Sequence, residues 1–115
     1  MNKNVIQSKS FEFALGVINL YKELQSQKEF VISKQLLRSG TSIGANVEEA
    51  TAAQSRRDFL SKMAIASKEA RETKYWLRLL QESTLVELDL TPEISQIDQI
   101  IRILTAIVKT TKTTS

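Results

Sequence analysis

Apolar residues recur along most of this chain at steps of three and four, the spacing that places them on one face of an α-helix. Four such segments are predicted, at about residues 8–25, 28–53, 56–83 and 92–109. Three glycines and one proline are too few turn residues for a fold with many strands. The pattern therefore predicts one all-α domain built as a helical bundle.

Each predicted helix has one apolar face, and these faces are expected to form the core. The face of helix one consists of Phe11, Ala14, Leu15, Ile18, Tyr21 and Leu24. That of helix two consists of Leu36, Gly40, Ile43, Val47 and Ala50. Helix three contributes Phe59, Met63, Ala66, Ala70, Thr73, Leu77 and Leu80. Helix four contributes Ile94, Ile97, Ile101, Leu104 and Val108.

Polar residues mark two helix starts and one end. Ser55 followed by Asp58 predicts an N-cap with an acidic first turn, and Thr91-Pro92 predicts the start of helix four. The segment 110–115 has no apolar residue and is predicted to be disordered.

Helix two contains Gly40 and Gly44, four residues apart. In a polar helix this spacing favours close approach by a neighbouring helix. A kink at Gly40 and the two residues after it is the alternative.

Composition excludes several kinds of chemistry. The chain has no cysteine and no histidine, so thiolate chemistry, catalytic triads, zinc motifs and the Glu-x-x-His di-iron pattern are all unavailable. We therefore predict no enzymatic activity, no cofactor and no small-molecule substrate. A cytoplasmic location is expected, because the chain shows no signal peptide, no run of about 20 apolar residues and no disulfide framework. The net charge of +3 is compatible with a nucleic-acid partner without requiring one.

Two blocks of sequence carry a family resemblance. Ser42-Ile-Gly-Ala-Asn-Val-Glu-Glu49 is similar to a Ser-Ile-x-Ala-Asn-Ile-x-Glu pattern, and the segment from Asp58 through Lys68-Glu-Ala-Arg-Glu-Thr73 to Leu77 is similar to a helix-three block. Both resemble the bacterial family of four-helix-bundle proteins encoded in intervening sequences of 23S ribosomal RNA genes.

The resemblance implies an antiparallel, up-down-up-down bundle that assembles into a ring, with a homopentamer favoured, and no established enzymatic activity. It also implies kinship with the accessory proteins of diversity-generating retroelements, which work with a reverse transcriptase and RNA. RNA, or a protein that handles nucleic acid, is therefore an expected partner.

One surface of helix three is a candidate for binding RNA. A heptad-spaced row places four cations and one aromatic on one line, namely Arg57, Lys68, Arg71, Tyr75 and Arg78. Such a row suits phosphates and a stacked base, although a solvated face is the ordinary alternative. The cations Lys34, Arg38, Arg56 and Lys62 are candidates to extend it.

A second row on helix three is a candidate subunit interface. It is apolar at both ends and acidic in the middle, and consists of Ile65, Glu69, Glu72, Trp76 and Leu79. Its carboxylates are expected to find partners in cations of a neighbouring subunit or in the N–H groups of a helix start. Asn46 and Glu49 lie on one face of helix two and are predicted to fasten it to a neighbour, or to form a buried hydrogen-bonded pair.

Three functions follow from these patterns. The first is a non-enzymatic, oligomeric scaffold or RNA-associated accessory factor, and the second is a protein-interaction module with no nucleic-acid role. The third is a divalent-metal enzyme in which Glu48 or Glu49 faces Glu69 and Glu72, which the absence of histidine makes the weakest of the three.

Overall fold

Four α-helices follow one another in the computed structural model, which describes residues 2–113 and the side chains from Val5 onward. They are α1 (Asn2–Ser26), α2 (Ile32–Thr51), α3 (Arg56–Ser83) and α4 (Thr91–Thr113). Each helix packs against the one that follows it, and α1 also packs against α4. The result is an antiparallel bundle measuring 47 × 21 × 20 Å, and the predicted all-α class is confirmed.

The core face of α1 differs from the predicted one. Phe11, Leu15 and Ile18 were expected inside but are 63%, 49% and 40% exposed. The buried line is turned around the helix and consists of Ile6, Ser10, Phe13, Val17, Leu20 and Leu24. Only Leu24 belongs to both lines, so this part of the core prediction is wrong. α1 also begins six residues earlier than predicted, and its early turns bury Ile6 completely.

The predicted core faces of α2 and α3 are confirmed. Every predicted core residue of these two helices is buried except Phe59, which packs against the core while partly exposed. Each fully buried leucine or isoleucine contributes about 1.5–3 kcal/mol relative to an exposed one. Between the two helices, the buried Thr73 donates its hydroxyl hydrogen either to Ser39 Oγ at 2.9 Å or to the Glu69 carbonyl oxygen at 2.7 Å.

Close contact between α1 and α2 depends on glycine, as the sequence predicted. A Cβ atom added to Gly40 would lie 2.9 Å from Val17 Cγ2, and one added to Gly44 would lie 3.4 Å from the Ser10 carbonyl oxygen. α2 continues as an unbroken helix through both positions. The two glycines therefore allow close approach of α1, whereas the alternative of a kink at Gly40 stays a prediction.

α2 begins four residues later than predicted, because an acidic side chain caps it. The Glu29 carboxylate accepts hydrogen bonds from the backbone N–H groups of Val31, Ile32 and Ser33 at 3.1, 2.9 and 2.6 Å. These donors belong to the start of α2 and have no partner within the helix. Burial raises the pKa of Glu29, but the three N–H donors lower it by more, so its pKa lies below the ordinary value.

The starts of α3 and α4 follow the predicted polar residues. Ser55 is in an extended conformation and its hydroxyl oxygen accepts a hydrogen bond from the Asp58 N–H at 3.0 Å. Thr91 is the first residue of α4, and Asp89 Oδ1 accepts hydrogen bonds from its N–H and its hydroxyl at 3.0 and 2.6 Å.

The core of α4 is shifted by part of a turn, and its end is later than predicted. Ile97, Ile100, Leu104 and Ile107 are buried, whereas the predicted Ile94, Ile101 and Val108 are only partly buried. Residues 110–113 continue the helix, contrary to the predicted disorder of 110–115. Thr114 and Ser115 lie outside the described residues.

Candidate nucleic-acid interface

The five predicted RNA-binding residues lie on the outer face of α3, and we call them the basic row. Because Met63, Ala70 and Leu77 direct the opposite side of the helix into the core, the row faces solvent. All five side chains are exposed, namely Arg57, Lys68, Arg71, Tyr75 and Arg78. The structure therefore brings the predicted cations and the aromatic ring together on one accessible surface.

Two cations of the basic row have contacts within the chain. Arg71 Nη2 donates to Thr105 Oγ1 of α4 at 3.3 Å, which positions the guanidinium without neutralising it. Arg78 Nε donates to Glu82 Oε2 at 2.9 Å, and this bond raises the pKa of Arg78. The positive charge of the row is therefore strongest over Arg57, Lys68 and Arg71.

The adjoining edge of α4 adds cations that the sequence reading missed. α4 contacts α3 through the Lys74–Asp98 ion pair at 2.7 Å and the Arg71–Thr105 hydrogen bond. Arg102 and Lys109 are each one turn from Thr105 on this edge, and both are exposed. From residue 99 to residue 113 the chain has no acidic residue. The basic surface therefore includes residues of both α3 and α4. Its extent depends on how the two helices pack against each other.

Arg38 lies on the opposite flank of α3 and does not extend the basic row. Its Nη1 contacts Glu69 Oε1 at 3.1 Å, and its Nη2 binds Glu72 Oε2. The two carboxylates were expected to find cations from another subunit or a helix start, but both of them pair with one cation from α2 of the same chain. Arg38 is half exposed, so this pair adds about 1 kcal/mol or less to stability.

Glu72 connects Arg38 to the one tryptophan. Trp76 Nε1 donates to Glu72 Oε2 at 3.0 Å. This bond and the Arg38 guanidinium hold the pKa of Glu72 below its usual value. The Trp76 ring also meets Tyr75 edge-on, with ring centroids 5.1 Å apart. The contacts of Glu72 with Arg38 and Trp76 thus hold these three side chains in place on the side of α3 next to the basic row.

The apolar residues of the predicted subunit interface are partly exposed on the side of α3 that Arg38 contacts. Ile65 is 38% exposed, while Trp76 and Leu79 are half-buried. On α2, Asn46 Nδ2 donates to the Ser42 carbonyl oxygen of its own helix at 2.9 Å, and Glu49 is exposed. Asn46 and Glu49 therefore form no buried pair, and contact of these residues with another subunit stays a prediction.

The carboxylates of the metal hypothesis are not gathered into a site. Glu69 and Glu72 share the Arg38 guanidinium, and Glu48 Oε2 instead accepts a hydrogen bond from Gln7 Nε2 at 3.5 Å. Within residues 5–113, no group of three or more acidic, histidine or cysteine side chains is arranged to hold a metal ion. In the same part of the chain, no helix is long and apolar enough to cross a membrane.

These observations define an antiparallel four-helix bundle with a basic outer surface on α3 and α4. The chain belongs to the 23S rRNA-intervening sequence protein family, whose model matches residues 2–106. The family resemblance inferred from residues 38–80 is thereby confirmed. Kinship with the retroelement accessory proteins stays a prediction.

A solved structure agrees with this assignment. A protein of unknown function from the S23 ribosomal protein family of Bacteroides thetaiotaomicron is 50% identical, with a TM-score of 0.89. The match covers 95% of this chain and 99% of that one. No functionally curated protein matched the chain. The family name and the description of this relative state no enzymatic activity.

Proposed function

We propose that this protein is a non-enzymatic, oligomeric accessory protein of the bacterial cytoplasm that binds RNA. The binding surface consists of the basic row of α3 and the adjoining α4 edge with Arg102 and Lys109. In this role the protein holds RNA, or RNA together with a protein that handles nucleic acid.

The observation that carries the proposal is the continuity of positive charge across two helices. Arg71 on α3 meets Thr105 on α4, one turn from the exposed Arg102 and Lys109, and Asp98 at the same contact is paired with Lys74. A surface of this kind attracts phosphates and releases their counterions. Tyr75, which is 57% exposed within the row, offers a ring on which an unpaired base can stack.

RNA is favoured over other polyanions for two reasons. The exposed aromatic among the cations suits unstacked bases, which are typical of single-stranded loops and ends in RNA. The name of the family also refers to 23S ribosomal RNA. An interaction module that binds only proteins is the alternative, favoured by the exposed apolar side chains of α1.

The test is fluorescence anisotropy of labelled RNA with nuclease-treated protein, carried out on variants of the basic surface. Lys68→Glu and Arg102→Glu should each weaken binding several-fold and make the salt dependence shallower by about 0.7 per lost contact on single strands. The Arg102 variant is decisive for the extent of the surface, because it lies on α4.

The matched control is Lys28→Glu, which makes the same charge change at an exposed position in the turn after α1. It should leave affinity and salt slope close to those of the wild type. If all three variants weaken binding equally, binding follows net charge and the proposed surface is wrong. Absence of binding at every salt concentration favours the protein-interaction module instead.

A further inference from the structure

A shallow groove lies at the C-terminal end of α3, where the basic row ends. Its volume is about 350 Å³, and it is lined by Tyr75, Arg78, Leu79, Glu82 and Ser83. Tyr75 precedes the next three of these by three, four and seven residues, which places all four on one face of the helix. Small-ligand sites in proteins begin at roughly 300 Å³, so the groove has room for one small planar group.

Glu82 is an unexpected residue in this place. It follows Arg78 by four residues and so continues the spacing of the basic row, yet a carboxylate repels the phosphates that the row is proposed to bind. The ion pair between the two adds little to stability, because their side chains are 58% and 62% exposed. Neither phosphate binding nor stability therefore accounts for Glu82.

The Arg78–Glu82 pair presents donors and acceptors side by side. Arg78 Nε donates to Glu82 Oε2 at 2.9 Å, which leaves the two Nη groups of Arg78 as donors. The same bond leaves Glu82 Oε1 as an acceptor, and Oε2 can accept a second hydrogen. The rim of the groove therefore combines a fork of donors with a pair of acceptors, and the bond holds their relative positions.

Tyr75 supplies a flat surface beside this pair. Its ring is 57% exposed, and its edge-on contact with Trp76, with centroids 5.1 Å apart, restricts its movement. An exposed aromatic ring next to cations suits stacking with an unpaired base. Stacking alone does not distinguish one base from another, because every base has a π-face. Any choice among bases must therefore come from Arg78 and Glu82.

Guanine is the base whose edge matches this pair. Its N1–H and N2–H groups are adjacent donors, so both can bind one carboxylate, and the O6 atom beside them accepts from a guanidinium. Adenine and cytosine each offer a carboxylate one amino group with a ring-nitrogen acceptor next to it. Uracil offers one N–H between two carbonyl oxygens. In these three bases an acceptor faces the second carboxylate oxygen, which is unfavourable.

We propose that this groove binds one unpaired guanine base, which stacks on Tyr75 and is held at its edge by Arg78 and Glu82. The inference rests on the proposed function, since phosphates of the same RNA lie along the basic row. It adds a base preference to a surface that would otherwise bind RNA without regard to sequence. The cations before Tyr75 hold the backbone, and the end of the row reads a base.

The test is fluorescence anisotropy with labelled uridine oligomers that differ only in one central base, which is guanine, adenine, cytosine or uracil. The wild type should bind the guanine oligomer at least about fivefold more tightly than the other three, the order of one bidentate base contact. Glu82→Gln should abolish this preference, because an amide offers one acceptor and one donor. Since the same change removes a negative charge, affinity for the all-uridine oligomer should stay the same or rise.

The matched control is Glu87→Gln, which makes the same charge change at an exposed site of the α3–α4 connection, outside the groove. It should keep the guanine preference. A preference that survives Glu82→Gln, or that Glu87→Gln abolishes equally, overturns the inference. Tyr75→Leu removes the ring and should weaken binding of all four oligomers several-fold. Unchanged affinity in that variant contradicts stacking in the groove.

The outcomes separate this inference from the proposed function. Equal affinity of the wild type for all four oligomers, with a steep salt dependence, overturns base recognition and leaves RNA binding by the basic surface intact. Absence of binding to any oligomer overturns both. Circular dichroism and native mass, measured for every variant, show whether a lost preference comes instead from unfolding or altered assembly.

Discussion

Gly40 of α2 packs directly on Val17 of α1. A Cβ atom added to Gly40 would lie only 2.9 Å from Val17 Cγ2. Valine is branched at Cβ and cannot turn its methyl groups away without leaving its preferred rotamer. The spacing of α1 and α2 is therefore set at this contact. It also determines which side of α1 enters the core.

Gly40→Ala should destabilise the fold although alanine is the better helix former. Overpacking against Val17 should outweigh the gain in helix propensity, with a net loss of about 1–2 kcal/mol in the free energy of unfolding. Gly16→Ala is the control, because Gly16 is exposed within α1 and nothing lies within 4 Å of an added Cβ. That change should stabilise by about 0.5–1 kcal/mol, and urea unfolding measures both. Equal gains in the two variants would show that the contact does not constrain the helices.

Glu29 should make stability depend on pH. An unfolded glutamic acid has a pKa of about 4.3, whereas the folded pKa of Glu29 is lowered by the three N–H groups of α2. Above about pH 5 both states are ionised and the stabilisation is complete. As the pH falls below the pKa of the unfolded state, Glu29 binds a proton more readily in the unfolded chain than in the folded one. The stabilisation by Glu29 therefore decreases, and it is lost once the pH is below the folded pKa.

Glu29→Gln should lower the free energy of unfolding by about 1 kcal/mol at pH 7, because the amide is a weaker cap for α2. The difference between variant and wild type should shrink between pH 5 and pH 3, as urea unfolding at several pH values will show. Glu23→Gln, at an exposed site on α1, should change stability by less than about 0.5 kcal/mol. A Glu29 difference that is constant with pH would mean that its charge has no part in the cap.

Thr84 is a place where a substitution should stabilise the protein. It follows α3 with φ of 53° and ψ of 28°, a left-handed conformation that costs a side chain branched at Cβ about 1–2 kcal/mol. Thr84→Gly should recover about 0.5–1 kcal/mol of this in thermal unfolding, since glycine gains flexibility in the unfolded chain. In contrast, Ser95→Gly at an exposed site within α4 should destabilise. A lower melting temperature for Thr84→Gly would argue against a strained cap.

The α3 row that ends at Ile65 and Leu79 can be tested as the predicted subunit contact. Its carboxylates already have Arg38 as a partner, so the remaining reason for an interface is the exposed apolar area, and Ile65 is its most exposed member. If the row contacts another copy, Ile65→Glu should lower the native mass without unfolding the chain. Unchanged native mass in a folded Ile65→Glu variant would contradict a subunit contact on this row.

The comparison of α1 with α3 shows what helical periodicity can predict. α3 has one apolar stripe opposite a row of charges, so its core face followed from spacing alone. α1 has two stripes with the same spacing, one through Phe11, Leu15 and Ile18 and one through Phe13, Val17 and Leu20. Both stripes satisfy the spacing of a helix, so periodicity alone does not say which of them enters the core. Contact with Gly40 and Gly44 selects the second, and such contacts depend on tertiary structure.

For the candidate RNA-binding surface, the sequence likewise predicts what lies on one helix but not how two helices meet. The five residues of the basic row lie on one helix, so their common exposure follows from heptad spacing. Arg102 and Lys109 join them only because Arg71 meets Thr105 on α4, and the sequence does not show how two helices align. Arg38 was misplaced for the same reason, since its pairing with Glu69 and Glu72 depends on the register of α2 against α3.

The salt dependence of RNA binding by the wild-type protein tests the proposed function most directly. Contacts by Arg57, Lys68, Arg71, Arg102 and Lys109 predict that the logarithm of affinity for single-stranded RNA falls with the logarithm of salt concentration, with a slope of about −3.5. Micromolar or tighter binding with that slope is the expected result. Anisotropy that stays flat at every salt concentration, with the protein folded and at its native mass, would contradict an RNA-binding role.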